Sequence, residues 1–266
     1  MKIKEVIQHL ENKFPLLWQE DFDNSGIQCG DKEQDITGAL VCFEFSDAVI
    51  EEAIQLKANF IVAHHPLIFG NGLKKIEPVD RVGRMVCKAI ENKLVLYSMH
   101  TNVDSGIGGG NYVFAEKLKL KDCEVLEPKF LFDRKEDGLV GLGQVGKLSK
   151  ALSVTKFVQY VKDCLNLKVV KYAGHINRPV KRVAVCGGAG SSLIRQAMKA
   201  GADAYVTGDV RYHDFFIPDN QMLIVDVGHF EGEHFIKDIL YAEIKENFSN
   251  FAIHFSKMDK LDILYA

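Results

Sequence analysis

Apolar residues at Ile3, Val6, Ile7, Leu10 and Phe14 recur every three to four positions, so the chain opens with an amphipathic helix. A polar loop follows, Asp21-Phe22-Asp23-Asn24-Ser25-Gly26. Residues 38–45 then read as a buried strand, and 47–57 as a helix offering Val49, Ile50, Ala53, Ile54 and Leu56 for packing. A short strand at 60–63 precedes a helix marked by Val82, Met85, Val86, Ala89 and Ile90, and residues 94–99 form a third strand. Further along, the pattern predicts strands at 138–145, 168–173 and 182–186, with a helix at 155–165. Strands alternating with helices of this length predict α/β layers around largely parallel sheets.

The second half reads as a repeat of the first. Sliding residues 41–62 onto 185–206 without a gap, a shift of 144, pairs Val41 with Val185, Cys42 with Cys186 and Ile50 with Ile194. It also pairs Ala53 with Ala197, Ala58 with Ala202 and Val62 with Val206. A shift of 129 places His100 on His229 and Asp104 on Glu233, each a His-x-x-x-carboxylate after an apolar strand. The expected architecture is α/β, with two related lobes that are each a mostly parallel sheet flanked by helices, and a site between them. The first lobe would span 1–125 and the second 126–266, with the C-terminal segment packing back on the first.

Composition narrows the class. In 266 residues, 47% hydrophobic and 26% charged describe an ordinary globular core and surface. A net charge of −3 gives no electrostatic case for a dedicated nucleic-acid binder. No apolar run approaches a membrane span, and the N-terminus has no signal-peptide apolar region, so a cytoplasmic protein is expected. Cys29, Cys42, Cys87, Cys123, Cys164 and Cys186 are scattered, without a Cys-x-x-Cys pair, and read as reduced thiols.

The chemistry gathers where strands end. His64 and His65 close the run Phe60-Ile61-Val62-Ala63, and Pro66 follows. Neighbours on a regular strand face opposite sides, but at a strand end the two rings could diverge toward different ions. Asp104, His229 and Glu233 complete a set of three imidazoles and two carboxylates, with His229 and Glu233 four apart and so on one helical face. Such donors suit zinc, manganese or iron, and no thiolate points to a closed structural zinc site. Five ligands exceed one tetrahedral ion and suit two divalent ions about 3.5–4 Å apart. His100 is either a supporting or acid/base group or a packing residue.

Two glycine turns stand nearby. Gly187-Gly188-Ala189-Gly190 follows a strand and opens a helix, and Gly108-Gly109-Gly110 follows Asp104. Each is either a phosphate cradle built from backbone N–H groups, with Gly187, Gly188, Gly190, Gly109 and Gly110 as its residues, or a plain tight turn. Asp209 and His213, after the strand matching that of His64, are either general acid/base groups or partners of the metal ligands, with Asp209 also a substrate-binding candidate, or parts of a solvated loop.

These motifs together resemble the GTP cyclohydrolase 1 type 2 homologs, the Nif-three-like proteins. The matching pieces are Asp23-Asn24-Ser25-Gly26-Ile27-Gln28, His64-His65-Pro66-Leu67-Ile68-Phe69, His100-Thr101-Asn102-Val103-Asp104, Gly187-Gly188-Ala189-Gly190, Thr207-Gly208-Asp209 with Tyr212-His213, and Gly228-His229 with Glu233. They run in family order over nearly the whole chain. The resemblance implies His64, His65, Asp104, His229 and Glu233 as metal ligands, and a toroidal homohexamer built as a trimer of dimers. The segment Phe43-Glu44-Phe45-Ser46 departs from the Leu-Asp pair common in the family, and the large inter-lobe insertion of longer relatives is lacking.

The function expected is a dinuclear metal-dependent hydrolase converting GTP to 7,8-dihydroneopterin triphosphate and formate, with His100 or His213 moving protons. Two rivals stand beside it: a metal-dependent phosphoesterase or nucleotide hydrolase, and a non-enzymatic metal-binding regulatory ring.

Overall fold

The computed structural model describes residues 1–70, 72–129, 140–259 and 263. The chain forms two compact units, one from Met1–Val103 with the segment returning from Ile236, the other from Asp104–Phe235. This differs from the expected division at 125/126. The strand Lys121–Pro128 already belongs to the second sheet, and the last strand belongs to the first. Among the described residues no helix is long and apolar enough to cross a membrane, and all six cysteines are free thiols.

The first unit holds a five-stranded sheet of β1 (Gly26–Cys29), β2 (Gly38–Cys42), β3 (Phe60–Ala63), β4 (Val95–Ser98) and β11 (Ala252–Phe255), in the order β1-β4-β3-β2-β11. All its ladders are parallel except β1–β4. β2, β3 and β4 are buried at every position, as strands covered on both faces must be. Leu40, Ile61 and Leu96 pack with Ile50 of α2 (Asp47–Leu56) and Met85 of α3 (Arg81–Glu91). Both helices start at side-chain caps: Ser46 Oγ accepts the Val49 N–H (3.1 Å) and Asp80 Oδ1 the Gly83 N–H (2.7 Å). β2 stops at Cys42 rather than 45 because the next two N–H groups leave the ladder. Those of Phe43 and Glu44 donate to the Asp259 carboxylate at 2.6 and 3.2 Å.

The second unit holds a six-stranded sheet of β5 (Lys121–Pro128), β6 (Gly141–Leu152), β7 (Lys171–Ala173), β8 (Val180–Val185), β9 (Ala204–Thr207) and β10 (Leu223–Asp226), ordered β5-β6-β8-β9-β10-β7. It is mixed, not mostly parallel: β8–β9 and β9–β10 are parallel, whereas β5–β6, β6–β8 and β10–β7 are antiparallel. β5 and β6 succeed one another as direct neighbours, and α6 (Val154–Leu165) leads only to the short far edge strand β7, so neither connection makes a parallel crossover. The strand expected at 138–145 runs instead through Gly141–Leu152, its first residues lying outside those described, and that at 168–173 shrinks to Lys171–Ala173.

The repeat is visible in the hydrogen-bond ladders. In the first unit Ala39, Leu40 and Val41 pair with Phe60, Ile61 and Val62; in the second Val183, Ala184 and Val185 pair with Ala204, Tyr205 and Val206. The registers coincide at the shift of 144. The next strands pair alike, Phe60 with Val95 and Ala204 with Leu223, but at an offset of 128. The histidines beyond them are offset by 129, so the second unit carries one extra residue before His229. Gly228 takes that step at φ +94, a conformation costly for any residue with a Cβ. A Cβ on Gly208 would also stand 2.6 Å from the Gly228 carbonyl oxygen, so both glycines are needed where these strand ends meet.

Asp203 ties β8 to β9. Its carboxylate accepts the N–H groups of Lys181 (3.0 Å) and Arg182 (2.9 Å) and a 2.6 Å bond from the Arg178 side chain. Burial works to raise its pKa, but these donors outweigh it and hold the carboxyl below its ordinary value. The stabilisation is therefore present above the unfolded-state pKa of about 3.9 and is lost as pH falls through the lower folded value. Asp203→Ala is expected to cost about 1.5–3 kcal/mol in urea unfolding at pH 7, and distinctly less near pH 3. An equal cost at both pH values would contradict this role.

Candidate metal centre

In the first unit, the end of β3 brings two adjacent imidazoles together. The N–H groups of His64 and His65 both donate to the Phe43 carbonyl (3.2 Å each), which ends the regular ladder. The two ring centroids then lie 4.8 Å apart instead of on opposite faces. His100, two residues past β4, joins them at 5.1 Å from the His64 ring and 5.4 Å from that of His65. The ligand atoms of His64, His65 and His100 all lie within 4.8 Å of one another. His100 is thus part of the imidazole cluster, a placement that spacing alone left open.

The Nδ1 atom of each ring is anchored. That of His64 bonds the Met99 carbonyl (2.9 Å), that of His65 Glu44 Oε2 (2.6 Å), and that of His100 Asp23 Oδ1 (2.7 Å). A carbonyl or carboxylate oxygen can only accept, so each Nδ1 carries the hydrogen. The ring then offers its electron pair at Nε2, the arrangement in which metal-binding histidines are held. Burial works to raise the pKa values of Asp23 and Glu44. The His100 bond and charge outweigh it for Asp23, and His65 with Arg81 does so for Glu44, so both lie below the usual carboxylate range. Both supports are therefore ionised at neutral pH.

The second unit has two carboxylates and a fourth imidazole as its own candidate donors. The five-residue helix α8 (His229–Glu233) places His229 Nε2 3.0 Å from Glu233 Oε2 across one turn. His229 Nδ1 is fixed by Asp209 Oδ2 at 2.7 Å, from just beyond β9. Asp226, buried at the end of β10, accepts the N–H of Gly228 (3.0 Å) and that of Val210 (3.3 Å), and so sets both the His229 turn and the Asp209 turn. Lys171 closes an ion pair on it at 2.6 Å. Asp104, buried in the short helix α4 (Thr101–Ser105), is tied in through Asn111: the Asn111 amide donates to the Asp104 carbonyl (3.1 Å) and accepts the Gly187 N–H (2.9 Å). Cys186 is buried against these groups. Burial first, then the Asp104 and Glu233 carboxylates, push its thiol well up, so it is protonated.

The glycine turns serve the fold here. Besides the Gly187 N–H on Asn111, the Gly190 N–H donates to the Gly188 carbonyl and the Thr207 hydroxyl (3.1 Å each), and the Gly109 N–H to the Gly106 carbonyl (2.9 Å). Those three donors are therefore committed within the protein. The helical segments after Gly190 are short, a 3₁₀ turn Gly190–Leu193 and α7 (Ile194–Lys199). What Gly187 and Gly188 do is receive Glu233: a Cβ on Gly187 would lie 2.8 Å from Glu233 Cγ, and one on Gly188 2.1 Å from Oε1. His213 is exposed, with its ring edge-on to Tyr212 at 5.2 Å, and is in none of the groups whose ligand atoms cluster.

Four supporting residues escaped the pattern: Asp23, Glu44, Asn111 and Asp226. Asp23 and Glu44 act across 77 and 21 positions of sequence. Only the presence of a carboxylate at 44, where a Leu-Asp pair was expected, hinted at that role. Replacing Glu44 with Gln is expected to weaken metal binding about 10–100-fold, read by competition with a chromogenic chelator. An affinity within threefold of the parent would remove Glu44 from the account.

The donor set fits divalent metal. The imidazoles in the first unit are oriented through Nδ1, and a carboxylate sits in a glycine cradle beside a fourth imidazole in the second. The fold and these groups define a two-sheet α/β protein able to bind metal through histidine, aspartate and glutamate. The sequence model of the family Duf34/NIF3 (NGG1p interacting factor 3) matches residues 1–261, and the chain belongs to that family. It is 33% identical over 249 residues to the GTP cyclohydrolase 1 type 2 homolog of Clostridium perfringens, covering 92% of both chains. To the namesake from Campylobacter jejuni it is 31% identical over 246 residues, again covering 92% of both. Among solved structures it resembles the Bacillus cereus protein related to NIF3, with a TM-score of 0.89 at 25% identity, over 100% of this chain and 99% of that one. It also resembles reduced HcgD from Methanocaldococcus jannaschii, with a TM-score of 0.78 at 25% identity, over 96% of this chain and 97% of the other.

Proposed function

We propose that this protein is a dinuclear metal-dependent hydrolase of the GTP cyclohydrolase type, opening the guanine imidazole ring at C8 and releasing formate and 7,8-dihydroneopterin triphosphate. The observation that supports it most is the set of four imidazoles, His64, His65, His100 and His229, each with Nδ1 bound to an oxygen that can only accept. The names of the relatives supply the reaction. In this reading His64, His65, Asp104, His229 and Glu233 hold two divalent ions, zinc, iron or manganese. When bound, the ions would supply Lewis acidity and a water acidified toward neutral pH.

The chain's own residues then have defined tasks. Glu44 and Asp209 fix the rings of His65 and His229 so that Nε2 points one way only. His100, locked by Asp23, presents Nε2 beside His64 and His65, where it can pass a proton to or from the opening ring. The glycine turn at 187–188 keeps Glu233 in place rather than holding phosphate, so the triphosphate would be held elsewhere.

The test is incubation of metal-loaded protein with GTP and identification of products by mass spectrometry. Formate with a pterin triphosphate is the expected result. GDP, GMP or free phosphate would instead make it a phosphoesterase, and no turnover with any of zinc, iron or manganese would leave a metal-binding ring without catalysis. Assembly as a toroidal homohexamer, a trimer of dimers, belongs to the same proposal through the family resemblance. Sedimentation equilibrium should then give six times the 29.8 kDa chain mass.

A further inference from the structure

Two phenylalanines beside the imidazole cluster are held in place yet left open to solvent. Phe69 stands edge-to-face against His100 at 5.9 Å, and Phe22 stands edge-to-face against Phe69 at 6.4 Å. Phe69 is 52% and Phe22 63% exposed, so neither is in its place for the sake of the core. Their backbones are nonetheless stitched down. Asn24 Nδ2 donates to the Ile68 carbonyl (2.8 Å), Gln28 Oε1 accepts the Ile68 N–H (3.0 Å), and Gln28 Nε2 donates back to the Asn24 carbonyl (2.7 Å). Phe22 precedes Asp23, whose carboxylate binds both the His100 ring and the Thr101 N–H (3.0 Å). One hydrogen-bonded web thus fixes two aromatic side chains and a candidate proton-transfer imidazole relative to one another.

We propose that Phe69, braced edge-to-face by Phe22, forms a stacking wall for a planar nitrogen heterocycle held against the His64–His65–His100 cluster. The inference rests on the metal-hydrolase reading for the identity of the cluster, and it adds the residues that hold the substrate's ring. Exposed, pre-positioned aromatic faces bind heterocycles through stacking, which any such ring can satisfy; selectivity among bases must then come from polar groups. Phe69 packs across His100 at 80° and is still half exposed, so a ring stacked on it would lie near the imidazole that would move its proton.

The test measures binding of guanosine, pterin and ribose 5-phosphate to the metal-loaded full-length protein by saturation-transfer NMR and calorimetry, for the parent and for Phe22→Ala, Phe69→Ala and Phe69→Trp. Guanosine or pterin should bind and ribose 5-phosphate should not compete. Each alanine variant should weaken the heterocycle about tenfold or more at unchanged metal content, and Phe69→Trp should retain it. Heterocycle binding without GTP turnover upholds the wall while removing the cyclohydrolase reading. GTP turnover with heterocycle affinity unchanged in both alanine variants overturns the wall and leaves that reading intact. Absence of heterocycle binding to the parent overturns the wall, as does a change of sedimentation mass in the alanine variants with affinity unchanged, which would make this face a contact between copies of the chain.

Discussion

His64→Ala is expected to remove bound metal and to lower turnover on the order of a thousandfold or more, well beyond the ~10–100-fold that loss of a ligand's supporting partner costs. His64 is fully buried, bonded through Nδ1 to the Met99 carbonyl, and shares its neighbourhood with two further imidazoles. Alanine offers no Nε2 electron pair there. The substitution also strips the Met99 carbonyl of its donor in a buried place, so about 1–3 kcal/mol of stability should go with the metal. Elemental analysis, circular dichroism and a turnover assay on the same preparation separate the two effects. A folded variant with full metal content and undiminished turnover would sink the assignment of His64 as a ligand.

Gly188→Ala should act on Glu233, a candidate ligand in the second unit, through shape alone. Gly188 has φ +57, where a residue with a Cβ pays about 1–2 kcal/mol. The new Cβ would stand 2.1 Å from Glu233 Oε1 and 2.7 Å from Cδ. Gly187 lies along the same side chain, since a Cβ added there would stand 2.8 Å from Glu233 Cγ. Metal content is therefore expected to fall by half or more. Gly201→Ala is the matched control: its φ is +69, yet no atom lies within 4 Å of the added Cβ. It should lose comparable stability and keep its metal. If both variants keep full metal content, the glycine turn has no part in placing Glu233.

The candidate metal ligands could be picked out because they follow a local rule, an imidazole or carboxylate just past an apolar strand, and because the chain states that rule twice. The repeat was legible for a related reason: its identities fall on inward-facing positions, and the ladders of the two units share one register. The supports were not legible. Asp23 and Glu44 reach their histidines through loops whose course depends on packing, so no spacing in the sequence marks them. The glycine turns could not be assigned because a phosphate cradle and a tight turn use the same residue; in the structure the N–H groups of Gly187, Gly190 and Gly109 are committed within the protein. The second sheet was expected to be mostly parallel because apolar runs reveal strands but not their direction, and β5 and β6 turned out to be antiparallel neighbours.

In the proposed function His64 and His65, with Asp104, His229 and Glu233, hold two ions. Anomalous diffraction at the metal absorption edge from crystals of the zinc- or iron-loaded protein tests it most directly. Two peaks are expected about 3.5–4 Å apart, each about 2.0–2.3 Å from Nε2 or carboxylate oxygens of these five residues. A single peak elsewhere, or none within bonding distance of both His64 and Glu233, would contradict it.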